Sequence, residues 1–430
     1  MKIKRDRYLK QLIAKQWNGQ IKIITGIRRC GKSVLLFDLF RDYLLQNGVK
    51  GTNIISLALD DNANKNYRNP DVLSQYVLNL CSDQSQKYYV LLDEIQYAIT
   101  KEELRNTQTP VELYGVLVGF LNRKNIDVYI TGSNSRLLSS DIRTEFRGRG
   151  DKIHVYPLSF QEYFEASGLD KWDAYNEYIL YGGMPRLLQL GDDTEKYNYL
   201  DGLFEEIYFR DIEERYQIRL PNVLRSLTDD LCSSVGSLTN AAKIAASVNT
   251  HFKVNTNSMT ISQYLSYLED SFLFSRAQRY DVKGKRYFEY PSKYYCTDIG
   301  LRNIRIGLRQ QEESHILENL IYNELCIRGY AVDVGLVTVV ETNQEGKQSQ
   351  KGLEVDFIAH LGPKQYYIQV ALNMDDEEKQ RKELRPLLAI HDSFRKVVIS
   401  KSYGKSWVDE QGILRLNVID FLLDEHALDR

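Results

Sequence analysis

A glycine, four residues and then Gly-Lys-Ser occupy residues 26–33, GIRRCGKS, directly after the apolar run at 21–24. A strand running into such a turn and then a helix aims loop amides and the first helical turn at one anionic group, so the spacing predicts a nucleoside triphosphate site. Gly26 and Gly31 allow the tight turn and a close backbone approach to phosphate, Lys32 reaches the β and γ phosphates, and Ser33 offers a hydroxyl to magnesium. Val34, next in the helix, belongs to the same binding set. Arg28, Arg29 and Cys30 fill the variable positions; they either keep the loop solvated or touch phosphate or a neighbouring subunit.

A second apolar run, YYVLLDEIQ at 88–96, ends in Asp93 and Glu94. Acids at the C-terminal end of a buried parallel strand stand where open α/β sheets do their chemistry. Asp93 is expected to hold the magnesium shell through water, and Glu94 to orient or deprotonate the attacking water. A third run, 127–131, enters GSNS, and its position resembles the strand end that senses the γ phosphate in additional-strand ATPases. Ser133 is the first choice for that role and Asn134 the second, with a turn-forming role open for both. In DIRTEFRGRG, at 141–150, Arg143, Arg147 and Arg149 crowd one segment; Arg149 is the candidate to meet a γ phosphate across a subunit boundary.

From about residue 21 to 164 these motifs, with PLSFQEYF at 157–164, resemble the ATPase domain of a prokaryotic AAA+ family, archaeal-type ATPase-like, whose members carry a C-terminal domain of uncharacterised function with a nuclease-like fold. The match continues through YGGMPRLL at 181–188, where the family has a glycine-glycine-x-proline segment in its helical lid, and there the resemblance implies a second sensor at Arg186. It also implies ATP and Mg2+ as ligands and permits a ring, while an arginine reaching across a subunit boundary implies a homo-oligomer of at least two subunits.

The elements that must position these groups define an α/β chain of several units. With 430 residues it exceeds what one core organises, and the expected division is an AAA+ P-loop core at 1–157, a helical lid at 158–235, a winged-helix-like domain at 236–308 and a restriction-endonuclease-like α/β domain at 309–430. A formal net charge of −2 gives no global basic field, so a DNA contact must come from a local patch. Five cysteines without paired spacing and six histidines suggest neither a disulfide framework nor a zinc ribbon. No run has transmembrane length and the basic N-terminus lacks a signal-peptide core, so a cytoplasmic protein without membrane partners is expected.

Tyr8, Leu9, Leu12, Ile13 and Trp17 predict a helix packed beside the first strand, and Asp60 and Asp61 end another strand near the catalytic edge or merely form its turn. From residue 237 two helices and a hairpin suggest a winged helix, in which Lys283, Lys285, Arg286 and Lys293 are the one basic concentration interleaved with aromatics; it meets either a DNA backbone or a protein target. Farther on, Glu318 and Glu324 on a helix, Asp356 on a strand and Gln369 on its neighbour follow the order of a PD-(D/E)xK nuclease. The resemblance implies an acid at Gln369 and a lysine at Ala371, and both are missing. Glutamine brings no charge to hold a metal and alanine activates no water, so a degenerate binding or assembly module is expected rather than a nuclease.

Overall fold

The computed structural model describes residues 3–100, 102–103, 111–133, 148–253, 255–308, 312–342, 348–374, 376–401 and 404–430. The chain forms two compact units, residues 1–157 with 270–272, and residues 158–269 with 273–430.

In the first unit five parallel strands, β1 (Ile21–Thr25), β2 (Ile54–Ala58), β3 (Tyr88–Asp93), β4 (Ile126–Gly132) and β5 (Gly150–His154), lie in the order β2-β3-β4-β1-β5. Every residue of β1, β3 and β4 is buried, which is why they show no regular alternation, and the charged members, Lys22 of β1 and Asp127 of β4, pair with each other. Ile23, Val90, Leu92 and Val128 pack with Leu113 and Leu117 of the helix Glu112–Leu121 in one core. The parallel order puts the ends of β1, β3 and β4 on one edge. Since β4 separates β1 from β3, its last residues stand between the loop leaving β1 and the acids ending β3. The expected N-terminal helix is Asp6–Ala14, with Tyr8 and Leu12 buried. Trp17 lies beyond it at φ 56, and its indole donates to the Tyr89 hydroxyl at 2.9 Å. Asp61 accepts from the Ala63 amide at 2.9 Å, a turn-forming role.

The second unit opens with helices. Phe160–Ser167 starts on a reciprocal capping box between Ser159 and Glu162, which satisfies two end amides. Its sheet has eight strands, β6 (Phe274–Asp281), β7 (Arg286–Cys296), β8 (Ala331–Thr342), β9 (Gln348–Leu361), β10 (Lys364–Ala371), β11 (Arg395–Ser400), β12 (Trp407–Val408) and β13 (Leu414–Asn417), ordered β12-β13-β11-β10-β9-β8-β6-β7. The helices Ala241–Phe252 and Ser258–Asp270 precede the β6–β7 hairpin. That hairpin does not stand free as a wing: β6 pairs in parallel with β8, Arg279 opposite Val334, and residue 308 marks no break in the sheet.

The Gly182-Gly183 segment has a packing explanation. A Cβ on Gly182, which has φ +79, would lie 2.2 Å from an Asp298 carboxylate oxygen, and one on Gly300 would lie 1.7 Å from the Tyr181 carbonyl. The Gly183 amide donates to Asp298 at 2.7 Å, and Asp298 also caps the helix Ile299–Arg305 by accepting from Leu301 at 3.0 Å. Burial pushes the Asp298 carboxyl up to about 6 despite these amides. Because the folded-state value lies above the ordinary 3.8, the stability it contributes is full below about pH 4 and is lost as pH rises through 6. Asp298→Asn removes that titration. The stability advantage of wild type over the variant is expected to shrink by on the order of 2 kcal/mol between pH 4 and pH 7 in chemical denaturation. A pH-independent difference would contradict the assignment.

Candidate functional site

The turn after β1 takes its shape from two glycines. Gly26 has φ +145 and a Cβ there would lie 2.1 Å from the Val155 carbonyl oxygen, while Gly31 has φ +99. Cys30 is fully buried, its thiol 3.3 Å from the same carbonyl, and Arg5 donates to the Cys30 carbonyl at 3.2 Å and to that of Tyr156 at 2.6 Å. The loop is therefore anchored from the N-terminal segment and from the residues after β5.

Lys32 begins the helix and is buried, its ammonium donating to the carbonyls of Gly26 and Ile27 at 3.0 Å each. These neutral acceptors leave the charge uncompensated by either. Ser33 and Val34 are exposed beside it. Asp93, at the end of β3, is buried and accepts hydrogen bonds from the hydroxyls of Thr131 and Ser33. Burial raises its carboxyl above the usual range, the two hydroxyls and the Lys32 charge oppose this, and the neighbouring Glu94 adds to it. A cation at this point would relieve the desolvation of Asp93.

Glu94 has left-handed backbone, φ 54, and its amide donates to the Thr131 hydroxyl at 3.0 Å. The same hydroxyl donates to Asp93, so one side chain of β4 fixes both acids. The Glu94 carboxylate accepts from Gln96 and lies 3.5 Å from the Ser133 hydroxyl, which accepts from Arg28 at 3.3 Å. Gln96 keeps a buried side-chain oxygen without a hydrogen-bond partner among the described residues. The sheet edge thus gathers Lys32, Ser33, Asp93, Glu94 and Ser133, with Arg28 reaching across. Behind it, His154 at the end of β5 sits 3.0 Å from the Thr25 hydroxyl, and burial, then the charges of Lys32 and Lys152, depress its imidazole to about 4. Near neutral pH this histidine is uncharged and adds no positive charge next to the loop.

Sequence patterning did not single out Thr131, Gln96, Arg5 or His154. Thr131 was legible only as the residue before Gly132; nothing local marks the others, whose partners are distant in the chain. Asn134, Arg143 and Arg147 lie outside the described residues. Arg149 does not join the cluster in its own chain: its carbonyl accepts from the Ile21 amide at 2.9 Å, at the edge where β1 and β5 begin, opposite the loop. Arg186, in the second unit, is exposed, its guanidinium 5.4 Å from the Tyr199 ring centroid.

The second unit holds a separate charged cluster. Glu318, on the helix Glu313–Ile327, and Glu354 on β9 each lie 2.8 Å from the Lys293 ammonium, and Asp356 lies 4.0 Å away. The Tyr295 hydroxyl donates to Glu318 at 2.7 Å and the Val370 amide to Asp356 at 2.8 Å. Although burial works against its charge, Glu318, Asp356 and Glu354 hold the Lys293 ammonium above its ordinary value; burial and Glu318 raise the Asp356 carboxyl. Lys293 is thus a correction to the basic patch: it is 3% exposed and turned to carboxylates. Of its companions, Lys283 donates to the Thr338 carbonyl at 2.8 Å and Arg286 lies 3.7 Å from Asp281. Glu324 pairs with Arg328 at 2.7 Å and takes no part in the cluster. Gln369 follows the Ile368–Phe357 pair, opposite Asp356, and donates to Glu383 at 3.0 Å. Among the described residues no three acidic, histidine or cysteine side chains form a group that could hold a metal, and no helix is long and apolar enough to cross a membrane.

Residues 18–164 match the family model of an AAA domain, and residues 173–312 match a domain of unknown function. An uncharacterised protein of Haemophilus influenzae is 35% identical over 427 residues, covering 98% of each chain. An uncharacterised protein of Methanocaldococcus jannaschii is 28% identical, over 84% of this chain and 77% of its own. Among solved structures, Cdc6p of Pyrobaculum aerophilum aligns over 74% of this chain and 94% of its own at 12% identity, with a TM-score of 0.29, too low to speak for function.

Proposed function

For a chain that belongs to one family with its Haemophilus influenzae relative and carries an AAA+-type P-loop NTPase domain, we propose Mg-dependent binding and hydrolysis of ATP. AAA membership by itself suggests nucleotide binding and hydrolysis in general. The observation that carries the finer statement is the meeting of Lys32, Ser33, Asp93 and Glu94 on one sheet edge, with Asp93 desolvated beside a lysine that has neutral carbonyl partners.

These residues fit the ligand. The loop amides between Gly26 and Ser33, with Lys32, hold the β and γ phosphates; Ser33 and Asp93 would hold magnesium. The metal, when bound, neutralises charge that develops on the phosphate oxygens. Glu94 takes a proton from, or orients, the water that attacks the γ phosphorus in line as the bond to the β–γ bridging oxygen breaks. Ser133 and Arg28 stand where a γ-phosphate oxygen is sensed. Asn134, Arg149 of an adjacent subunit and Arg186 remain in the proposal as a further sensor, a finger and a second sensor, which makes the working form a homo-oligomer. Hydrolysis would drive rearrangement of the residues after 157, in which the sheet shared by the segments on either side of residue 308 would carry a degenerate nuclease-like module for a DNA or protein target. A cytoplasmic location belongs to the same proposal.

A second function, a nucleotide-gated DNA-binding or scaffold protein with negligible turnover, is separated by phosphate release from Mg-ATP. Wild type is expected to turn over and Lys32→Ala to lose at least about 100-fold. Absence of turnover by wild type, with and without DNA, would favour the scaffold.

A further inference from the structure

We propose that the open edge of β2 is a docking groove for an extended, acidic peptide segment of a partner protein. Among the described residues β2 ends the first unit's sheet and has β3 as its one neighbour. The Leu59 amide donates to the Asp93 carbonyl at 3.1 Å, which fixes the alternation: Ile55, Leu57 and Leu59 turn their backbone groups toward β3, and Ile54, Ser56 and Ala58 turn theirs outward. The Ala58 carbonyl is taken by the Asn64 side chain at 2.9 Å. The Ile54 N–H is taken by the Gly51 carbonyl, which leaves the Ile54 C=O and both backbone groups of Ser56 turned to a groove of about 550 Å³.

Unpaired strand edges are templates for another strand and are ordinarily covered or blunted. Here the edge lies in a groove with Phe37 and Arg41 from one helix and Tyr76 from another. The backbone row calls for an extended chain, and the aromatic rings suit apolar side chains at alternate positions. Arg41 is exposed, makes no ion pair among the described residues, and the groove lining contains no acid. One cation without a counter-charge selects an acidic side chain between the apolar ones. The proposal rests on the sheet edge alone and stands apart from the nucleotide chemistry.

The test uses the full chain and fluorescein-labelled decapeptides with valine at alternate positions and glutamate, glutamine or lysine between, read by anisotropy. The glutamate peptide is expected to bind saturably and at least about tenfold more tightly than the lysine peptide, since a close charge pair discriminates by a kcal/mol or more. Arg41→Glu should reverse that order. Ser56→Pro, which removes one outward N–H from an edge strand, should weaken all peptides, with an unchanged circular dichroism spectrum and melting temperature reporting that the unit still folds. No saturable binding by any peptide, or binding that neither substitution alters, would overturn the proposal. So would light scattering that shows wild-type self-association dissolved by Arg41→Glu, since the occupant would then be a second copy.

Discussion

Glu94→Gln is expected to bind Mg-ATP as wild type does and to release phosphate about 100- to 10,000-fold more slowly, the range spanned by loss of a positioned general base. Glutamine keeps the side-chain length and can still accept from Gln96 and Ser133, and the Glu94 amide bond to Thr131 does not involve the side chain. What disappears is the negative charge that accepts or orients a water proton. Because Lys32, Ser33 and Asp93 are untouched, the loss should fall on kcat with KM little changed. A variant with wild-type turnover would reduce Glu94 to a strand-end turn residue, its left-handed backbone being its whole contribution. Thr131→Val is not the cleaner experiment, because that hydroxyl serves both acids at once.

Lys293→Met is expected to destabilise the second unit by about 3–5 kcal/mol, the cost of removing one member of a buried ionic cluster and leaving the other charges uncompensated. Two carboxylates lie 2.8 Å from the ammonium and a third at 4.0 Å, and the lysine side chain is 4% exposed. The loss should be smaller at acid pH, where the carboxylates take up protons, and Glu354→Gln in the same chain should restore part of it. Urea denaturation followed by tryptophan fluorescence measures both. A loss below about 1 kcal/mol, the range of surface pairs, would mean that the cluster is solvated and contributes little.

How much of this was readable in advance depends on the range of the contacts. The glycine-lysine turn at 26–33 was legible because its glycines and lysine fall within eight residues, and β1, β3 and β4 because strands buried on both faces are mainly apolar. The order of those strands is not written in any local pattern, and it is β4 between β1 and β3 that brings Thr131 to both acids. Arg5 and His154 went unnoticed for the same reason: the Cys30 carbonyl and the Thr25 hydroxyl that define their roles lie far from them in the chain.

Lys293 was legible as a cation and misplaced as to partner. A basic residue among aromatics suggests a nucleic-acid surface, yet Glu318, Glu354 and Asp356 come from later elements that fold over it. The lysine that meets these carboxylates comes from β7, a pairing in space that no reading along one strand can find. Gly182 and Gly183 looked like a motif of the lid; close approach to Asp298 and Leu158 accounts for both without a ligand.

The most direct measurement is isothermal titration of Mg-ATP, with Mg-GTP beside it, into the folded full-length protein. Saturable binding of a nucleoside triphosphate by wild type, lost or greatly weakened in Lys32→Ala of unchanged melting temperature, is the expected result. Folded wild-type protein that takes up neither nucleotide would contradict the account at its root.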